Sequence, residues 1–272
     1  MSDMSPEIPL LALMHNTPMW VIGLVVILFA EIYAVGLMLL TRYWYGVSRL
    51  SLNNEIAGFK FAVVGVFYAV MLAFVVIAVW EEYRGTEDAV RDEAKAAVDL
   101  YRVALALPDQ GDDIRKHVVL YVDDVRSKAW ETMALGERSE AVAEQLKALN
   151  QAVLDLEPKD QKEAVLFQHA LDLLTLITDS RNERLDSSDG SVPTILWFVL
   201  LVGGVITLGY PAFFAASNVG AQVLMTASLA VLVALSLLLG LAFDFPFTGN
   251  PHISKEPFAD ALLQMDDGPP EL

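Results

Sequence analysis

Four uninterrupted apolar segments constrain this chain more than any other feature of its sequence. They run from Trp20 to Leu40, Phe61 to Trp80, Ile195 to Phe214 and Val219 to Phe243, and Glu31 is the single charged residue within them. A bilayer core about 30 Å thick requires roughly 20 helical residues, so each segment is long enough to span it. Spanning barrels need strands that alternate apolar and polar residues, which these segments lack. The sequence therefore predicts an all-α integral membrane protein whose four transmembrane helices form two hairpins.

The polar residues lie between and around these segments and divide the chain into eight regions. The regions are an N-terminal tail (1–19), a first transmembrane helix (20–40), a short basic loop (41–60), a second transmembrane helix (61–80), an acidic soluble four-helix region (81–190), a third transmembrane helix (193–214), a fourth transmembrane helix (219–243) and a C-terminal tail (244–272). Apolar stripes at helical spacing in the soluble region predict amphipathic helices that close a bundle.

Composition excludes several classes of function. The formal net charge of −17 opposes binding to the phosphates of nucleic acid. The chain has no cysteine, and its four histidines are scattered without the spacing of metal ligands. It also lacks a phosphate-binding glycine loop and a nucleophile elbow. We therefore expect neither an enzyme nor a cofactor nor a metal site, and we expect the lipid bilayer, small ions and further copies of the chain as partners.

The distribution of basic residues predicts an orientation. An even number of spans places both tails and the soluble region on one side of the membrane and the 41–60 loop on the other. That loop carries Arg42, Arg49 and Lys60, whereas the N-terminal tail has no Lys or Arg. The positive-inside rule then predicts a cytoplasmic loop and a soluble region outside the cytoplasm.

The second transmembrane helix presents two distinct faces. Small residues at helical spacing allow close approach of another helix and predict a helix-packing face. That face consists of Gly58, Ala62, Gly65, Ala69 and Ala73. Beside it lies a bulky stripe, from which Phe67, Met71 and Phe74 are candidates to line a pore. The alternative is that this stripe faces lipid or a neighbouring helix.

A few polar residues lie within or at the ends of the transmembrane segments. Glu31 lies deep in the first one, where an unpaired charge costs about 2.5–3.5 kcal/mol or more. It is either functional, or it is protonated or hydrogen-bonded to a neighbouring helix. Asn54, Glu55, Asn218 and Asp244 lie at the membrane edges. Each alone suits a cap or a turn, and together they could line the mouths of a pore.

Several short motifs occur in a fixed order along the chain. They include NEIAG at 54–58, GVFYAV at 65–70, LAF at 72–74, GG at 203–204 and DFPFTG at 244–249. This set, which extends over roughly residues 20–262, resembles the bestrophin-like domain-of-unknown-function family of bacterial membrane proteins. The calcium-clasp motif of the bestrophins themselves is absent.

The resemblance implies distant kinship to bestrophins, which are pentameric anion channels whose second spanning helix lines the pore. It would make Phe67, Met71 and Phe74 the counterpart of the bestrophins' hydrophobic neck. It also implies a multi-pass protein of the bacterial inner membrane with its soluble region in the cytoplasm, against the expectation from charge. We therefore interpret the chain as a homo-oligomeric membrane protein with a pore lined by the second helix. The alternative is a membrane-anchored sensor or scaffold whose helical domain binds a ligand or partner.

Overall fold

The computed structural model describes residues 8–107 and 110–266. Helices account for 84% of the described residues and none of these lies in a strand, which confirms the all-α prediction. The α-helices in chain order are α1 (Ile8–Asn16), α2 (Met19–Tyr45), α3 (Val47–Ser51), α4 (Asn54–Leu105), α5 (Gly111–Asp124), α6 (Trp130–Met133), α7 (Glu140–Leu154), α8 (Gln161–Asp186), α9 (Thr194–Gly209), α10 (Val219–Asp244) and α11 (Glu256–Asp266). A π-helical turn at Val125–Ala129 joins α5 to α6.

The chain forms two compact units. The spanning unit comprises Asn16–Glu82 and Ser191–Asp244. The soluble unit comprises Tyr83–Gly190 together with described residues from both ends of the chain. Within the described residues, four helical segments are long and apolar enough to cross a membrane, which confirms the predicted four spans. They are α2, α4, the segment Gln161–Phe213 that contains α9, and α10.

In the spanning unit, α2 packs against both α9 and α10. The core of this unit is built from apolar side chains of all four spans. They are Ala34, Tyr68, Leu72, Leu200, Leu208, Ala230 and Val233. Most of the remaining apolar surface of the spans stays exposed, as expected for helices whose solvent is lipid.

In the soluble unit, α5 packs against α7 and α11, and α7 packs against α8. The C-terminal region, expected as a tail, contributes to this core. Phe258, Ala261 and Met265 of α11 are buried because their spacing places them on one face of the helix. The soluble unit is therefore larger than the 81–190 region that the sequence outlines.

The structure also differs from the sequence expectation at two connections. The 41–60 region, expected as a loop, is largely helical, because α2 continues to Tyr45 and α4 already begins at Asn54. Gly46 separates α2 from α3 with a φ of 74°, which favours glycine. At the end of the third span, α9 gives way to a 3₁₀ turn at Tyr210–Phe213 that includes Pro211, which has no N–H to continue the α-helical pattern.

Candidate functional site

The bulky side of α4 is exposed in the spanning unit. Phe67 is 72% exposed and Phe74 is 69% exposed, whereas Met71 is half-buried. In the most apolar stretch of α4, 17% of the residues are buried, which is the lowest share among the four spans. The exposed residues continue towards the start of the helix at intervals of three and four, so they share one face. This α4 stripe comprises Phe59, Val63, Phe67, Val70 and Phe74.

The opposite side of α4 packs against the chain's own core. Tyr68 and Leu72 are buried there. A Cβ at Gly203 of α9 would lie 2.8 Å from Cδ2 of Tyr68, and a Cβ at Gly204 would lie 3.0 Å from its hydroxyl. The two glycines therefore let the Tyr68 ring lie directly on the backbone of α9. Because α4 is anchored through this side, the α4 stripe points away from the core.

Most of the small-residue face of α4 is not covered by described residues of the same chain. Ala62, Ala69 and Ala73 are exposed. A Cβ at Gly65 would meet no described atom within 4 Å, and one at Gly58 would lie 3.7 Å from Phe214. Among the described residues of one chain, no helix packs against this face, so its predicted packing role requires a partner from outside these residues.

Two of the predicted polar candidates, Asn54 and Asn218, form hydrogen bonds with the backbone in the structure. The Asn54 amide donates to the Ala215 carbonyl at 2.8 Å, and its oxygen accepts from the Ala215 N–H at 3.1 Å. The Asn218 side chain accepts from the N–H of Ala221 at 3.2 Å and caps the start of α10. Glu55 is exposed at the start of α4. Asn54 and Asn218 therefore stabilise the turn between the third and fourth spans.

Arg42 and Gln222 complete this polar cluster, a pairing that sequence reasoning did not foresee. Arg42 Nη1 donates to the Ala216 carbonyl at 2.7 Å and to Gln222 Oε1 at 2.9 Å. Gln222 Nε2 donates in turn to the Phe214 carbonyl at 2.8 Å. An arginine at the end of one apolar segment and a glutamine inside another were the available signals. Both side chains donate to backbone carbonyls of the turn, which lie outside a helix and so have no helical N–H as a partner at the membrane edge.

Asp244 lies elsewhere. Its Oδ1 accepts from the backbone N–H groups of Ser191 and Val192 at 2.9 and 2.8 Å, and its Oδ2 accepts from Trp197 Nε1 at 2.8 Å. The buried carboxylate therefore ties the start of α9 to the end of α10. The 26 residues of α10 separate it by about 39 Å from Asn218. The structure does not bring the predicted polar candidates together at one site.

Glu31 of α2 is half-buried. Its carboxylate forms no hydrogen bond or ion pair with any residue in the described ranges. The sequence alternative in which it is hydrogen-bonded to a neighbouring helix therefore finds no partner among the described residues of this chain.

The soluble unit contains a buried ion pair that sequence reasoning missed. Arg184 Nε donates to Glu93 Oε2 at 2.7 Å and Nη2 donates to Oε1 at 2.9 Å, and neither side chain is exposed. The Tyr121 hydroxyl also donates to Glu93 Oε1, at 2.5 Å. The guanidinium carbon lies 5.6 Å from the centre of the Trp130 ring. The one signal in the sequence was that Glu93 interrupts the apolar face of α4 that continues at Ala94.

Burial and charge fix the protonation of this cluster. Burial raises the pKa of Tyr121 well above its ordinary value, and the charge of Glu93 raises it further. Burial lowers the pKa of Arg184, but the charge and hydrogen bonds of Glu93 outweigh it, so the net pKa is raised. Tyr121 therefore stays a neutral donor and Arg184 stays charged near neutral pH. The cluster links α4, α5 and α8 and serves the packing of the soluble unit.

Four apolar helices and a separate helical unit define this chain as a multi-pass membrane protein. The sequence profile of the Bestrophin-like domain matches residues 27–258. The chain belongs to the Bestrophin-like domain family, which confirms the resemblance seen in the sequence. A search of curated proteins gave no match to this chain.

Solved structures of similar fold are bacterial membrane proteins. A bestrophin homologue from Klebsiella pneumoniae is 16% identical with a TM-score of 0.64, and the match covers 90% of this chain and 100% of that chain. A point variant of the K. pneumoniae homologue is 13% identical with a TM-score of 0.67, covering 90% and 99%. A variant described as a membrane protein is 13% identical with a TM-score of 0.69, covering 89% and 97%. At these identities the likeness establishes the fold.

Proposed function

We propose that this chain assembles into a homo-oligomeric ion channel whose pore is lined by the first half of α4. The observation that carries the proposal is the α4 stripe, a continuous row of bulky apolar side chains that points away from the chain's own core. The bestrophin family consists of channels rather than enzymes. The resemblance further implies a pentamer in the bacterial inner membrane, with small ions as the transported species.

The small-residue face beside the stripe supports assembly. Gly65 and Ala69 leave a shallow surface that no helix of the described chain covers. Interfaces between membrane helices favour small residues, because these let two backbones approach closely. We therefore propose that α4 of one copy packs there against a neighbouring copy. In a ring of such copies, each α4 is anchored outward by Tyr68 and Leu72, and the α4 stripe turns towards the axis.

Phe67 and Phe74 are the strongest candidates for the constriction. They are seven residues apart, so their rings lie about 10 Å apart along the helix and on the same face. A narrow apolar ring of this kind gates by dewetting. Met71 is a weaker candidate, because it is half-buried. Phe59 and Val63 would extend the apolar lining towards the start of α4.

Currents through purified protein in planar bilayers test the proposal. Smaller side chains at Phe67→Ala and Phe74→Ala should widen the pore and raise its conductance. Phe198→Ala is the matched control, because Phe198 of α9 is 61% exposed but lies outside the stripe. No current from wild type and from both stripe variants, in folded and oligomeric preparations, would contradict the channel and favour the sensor or scaffold alternative.

A further inference from the structure

The soluble unit has a pocket between α7 and α8 that the channel proposal does not use. It is a shallow pocket open to solvent, and its volume of about 340 Å³ lies near the lower end of the range for sites that bind small molecules. Its polar lining is Arg181, Lys147, Asn150 and Gln151. Its apolar lining includes Leu146 and Leu154. No carboxylate lines it, although the whole chain has a formal net charge of −17.

Six arginines of this unit each pair with a carboxylate, namely Arg91, Arg102, Arg115, Arg126, Arg138 and Arg184. Of the two that do not, Arg84 is exposed to solvent, whereas Arg181 is half-buried. Arg181 pairs with none in the described ranges, and its buried Nε has no hydrogen-bond partner. Buried donors are nearly always satisfied, since an unsatisfied one costs about 1–3 kcal/mol. The guanidinium of Arg181 therefore finds no acceptor among the described residues, and its terminal nitrogens are the part that a ligand can reach.

Two other polar groups of the pocket, on Lys147 and Asn150, are also available to an anion. Lys147 is exposed and makes no ion pair with any described residue. Glu144, three residues earlier on α7, is exposed and does not pair with it. Asp155, which follows the pocket residue Leu154 in the chain, accepts from Gln151 Nε2 at 2.6 Å and is thereby held in place. The Asn150 amide forms no hydrogen bond with a described residue and can donate.

We infer that this pocket binds a small organic carboxylate, held by Arg181 and Lys147. The planar guanidinium matches the two oxygens of a carboxylate, and the lysine adds a second positive charge. Leu146 and Leu154 offer apolar surface to a short hydrocarbon body. The site lies in the soluble unit, so the inference stands independently of whether α4 lines a pore.

Calorimetric titration of the full chain in lipid nanodiscs with hexanoate tests the inference. We expect saturable binding with one site per chain, after subtraction of the heat from empty nanodiscs. Acetate, which lacks the hydrocarbon body, should bind more weakly, and hexylamine, which reverses the charge, should not bind. Binding of hexylamine, or equal binding of acetate and hexanoate, would overturn this assignment of ligand class.

Variants locate the site. Arg181→Gln and Lys147→Gln should each raise the dissociation constant by at least about tenfold, because each removes a charge-assisted hydrogen bond. Lys147 is exposed, so its variant tests the site even if Arg181→Gln fails to fold. Lys162→Gln removes an exposed charge of α8 outside the pocket and should leave binding unchanged. Unchanged affinity in the two pocket variants would overturn the proposal. A change of oligomer size in Arg181→Gln, with no hexanoate binding by wild type, would instead assign Arg181 to an interface between copies.

Discussion

Removal of Arg184 should destabilise the soluble unit strongly. In Arg184→Met the Glu93 carboxylate stays fully buried and loses both guanidinium hydrogen bonds, leaving the Tyr121 hydroxyl as its remaining donor among those described. Removing one partner of a buried pair costs about 3–5 kcal/mol, because the other charge is left unpaired. Small domains are stable by about 5–15 kcal/mol, so this loss would be a large part of the total.

Hydrogen–deuterium exchange of the full chain in nanodiscs measures this loss within the soluble unit. Peptides from α5 and α8 should lose protection by roughly two to three and a half orders of magnitude, at about 1.4 kcal/mol for each tenfold change. Arg138→Met is the matched control, because Arg138 and its partner Asp186 have side chains 59% and 74% exposed. That variant should leave protection almost unchanged.

Replacement of the whole cluster separates the cost of an unpaired charge from the loss of packing. The triple variant Glu93→Leu, Arg184→Met, Tyr121→Phe keeps similar volumes and leaves no unpaired group. It should recover most of the protection lost in Arg184→Met, because apolar replacements of buried pairs are often neutral or stabilising. Equal protection in Arg184→Met and Arg138→Met would refute the reasoning, since it would mean that the buried charge of Glu93 costs nothing.

Three further perturbations test other parts of the structure. Because the pKa of Tyr121 is raised in the folded protein, its contribution to stability is complete below an unfolded pKa of about 10 and declines as pH rises above it. Tyr121→Phe should therefore flatten the alkaline fall in melting temperature between about pH 9 and 11, and an unchanged slope would contradict this. Gly65→Leu should weaken assembly by about 1–3 kcal/mol if helices of two copies meet there, by analogy with overpacked cores, and wild-type oligomer size on size-exclusion chromatography would assign that face to lipid. The charge distribution predicts that an impermeant thiol reagent labels Ser139→Cys and not Ser48→Cys in intact cells, whereas labelling of Ser48→Cys alone would place the soluble unit in the cytoplasm.

The sequence was most informative for the membrane-spanning segments, where the lipid hydrocarbon determines which residues can occur. Hydrocarbon tolerates few charges, so the four spans could be predicted from the distribution of apolar and charged residues alone. Partners distant in the sequence could not be predicted in this way. Helical periodicity places Glu93 on the inner face of α4, but it does not say that Arg184, 91 residues later, meets it there.

The roles of Asp244 and Phe258 could not be predicted either, because they also depend on partners distant in the sequence. The sequence placed Asp244 at the membrane edge, but it did not show what the carboxylate binds. Asp244 accepts hydrogen bonds from the backbone at the start of α9, because the hairpin brings that end of α9 beside the end of α10. Phe258 lies in a region rich in turn residues, and its burial depends on a surface that the rest of the soluble unit provides. The predicted pore-lining role of Phe67, Met71 and Phe74 also depends on partners, namely the other copies, and it stays a prediction.

The central claim is that the α4 stripe faces a conducting pore, and the absence of cysteine from this chain allows a direct measurement. Phe67→Cys, reconstituted in planar bilayers, is exposed to a charged methanethiosulfonate reagent while current is recorded. The account predicts a change in conductance that a reductant reverses, and no response from wild type or from Phe198→Cys. A Phe67→Cys channel that conducts and does not respond, in protein shown by mass to remain unmodified, would contradict the claim that this side chain lines the pore.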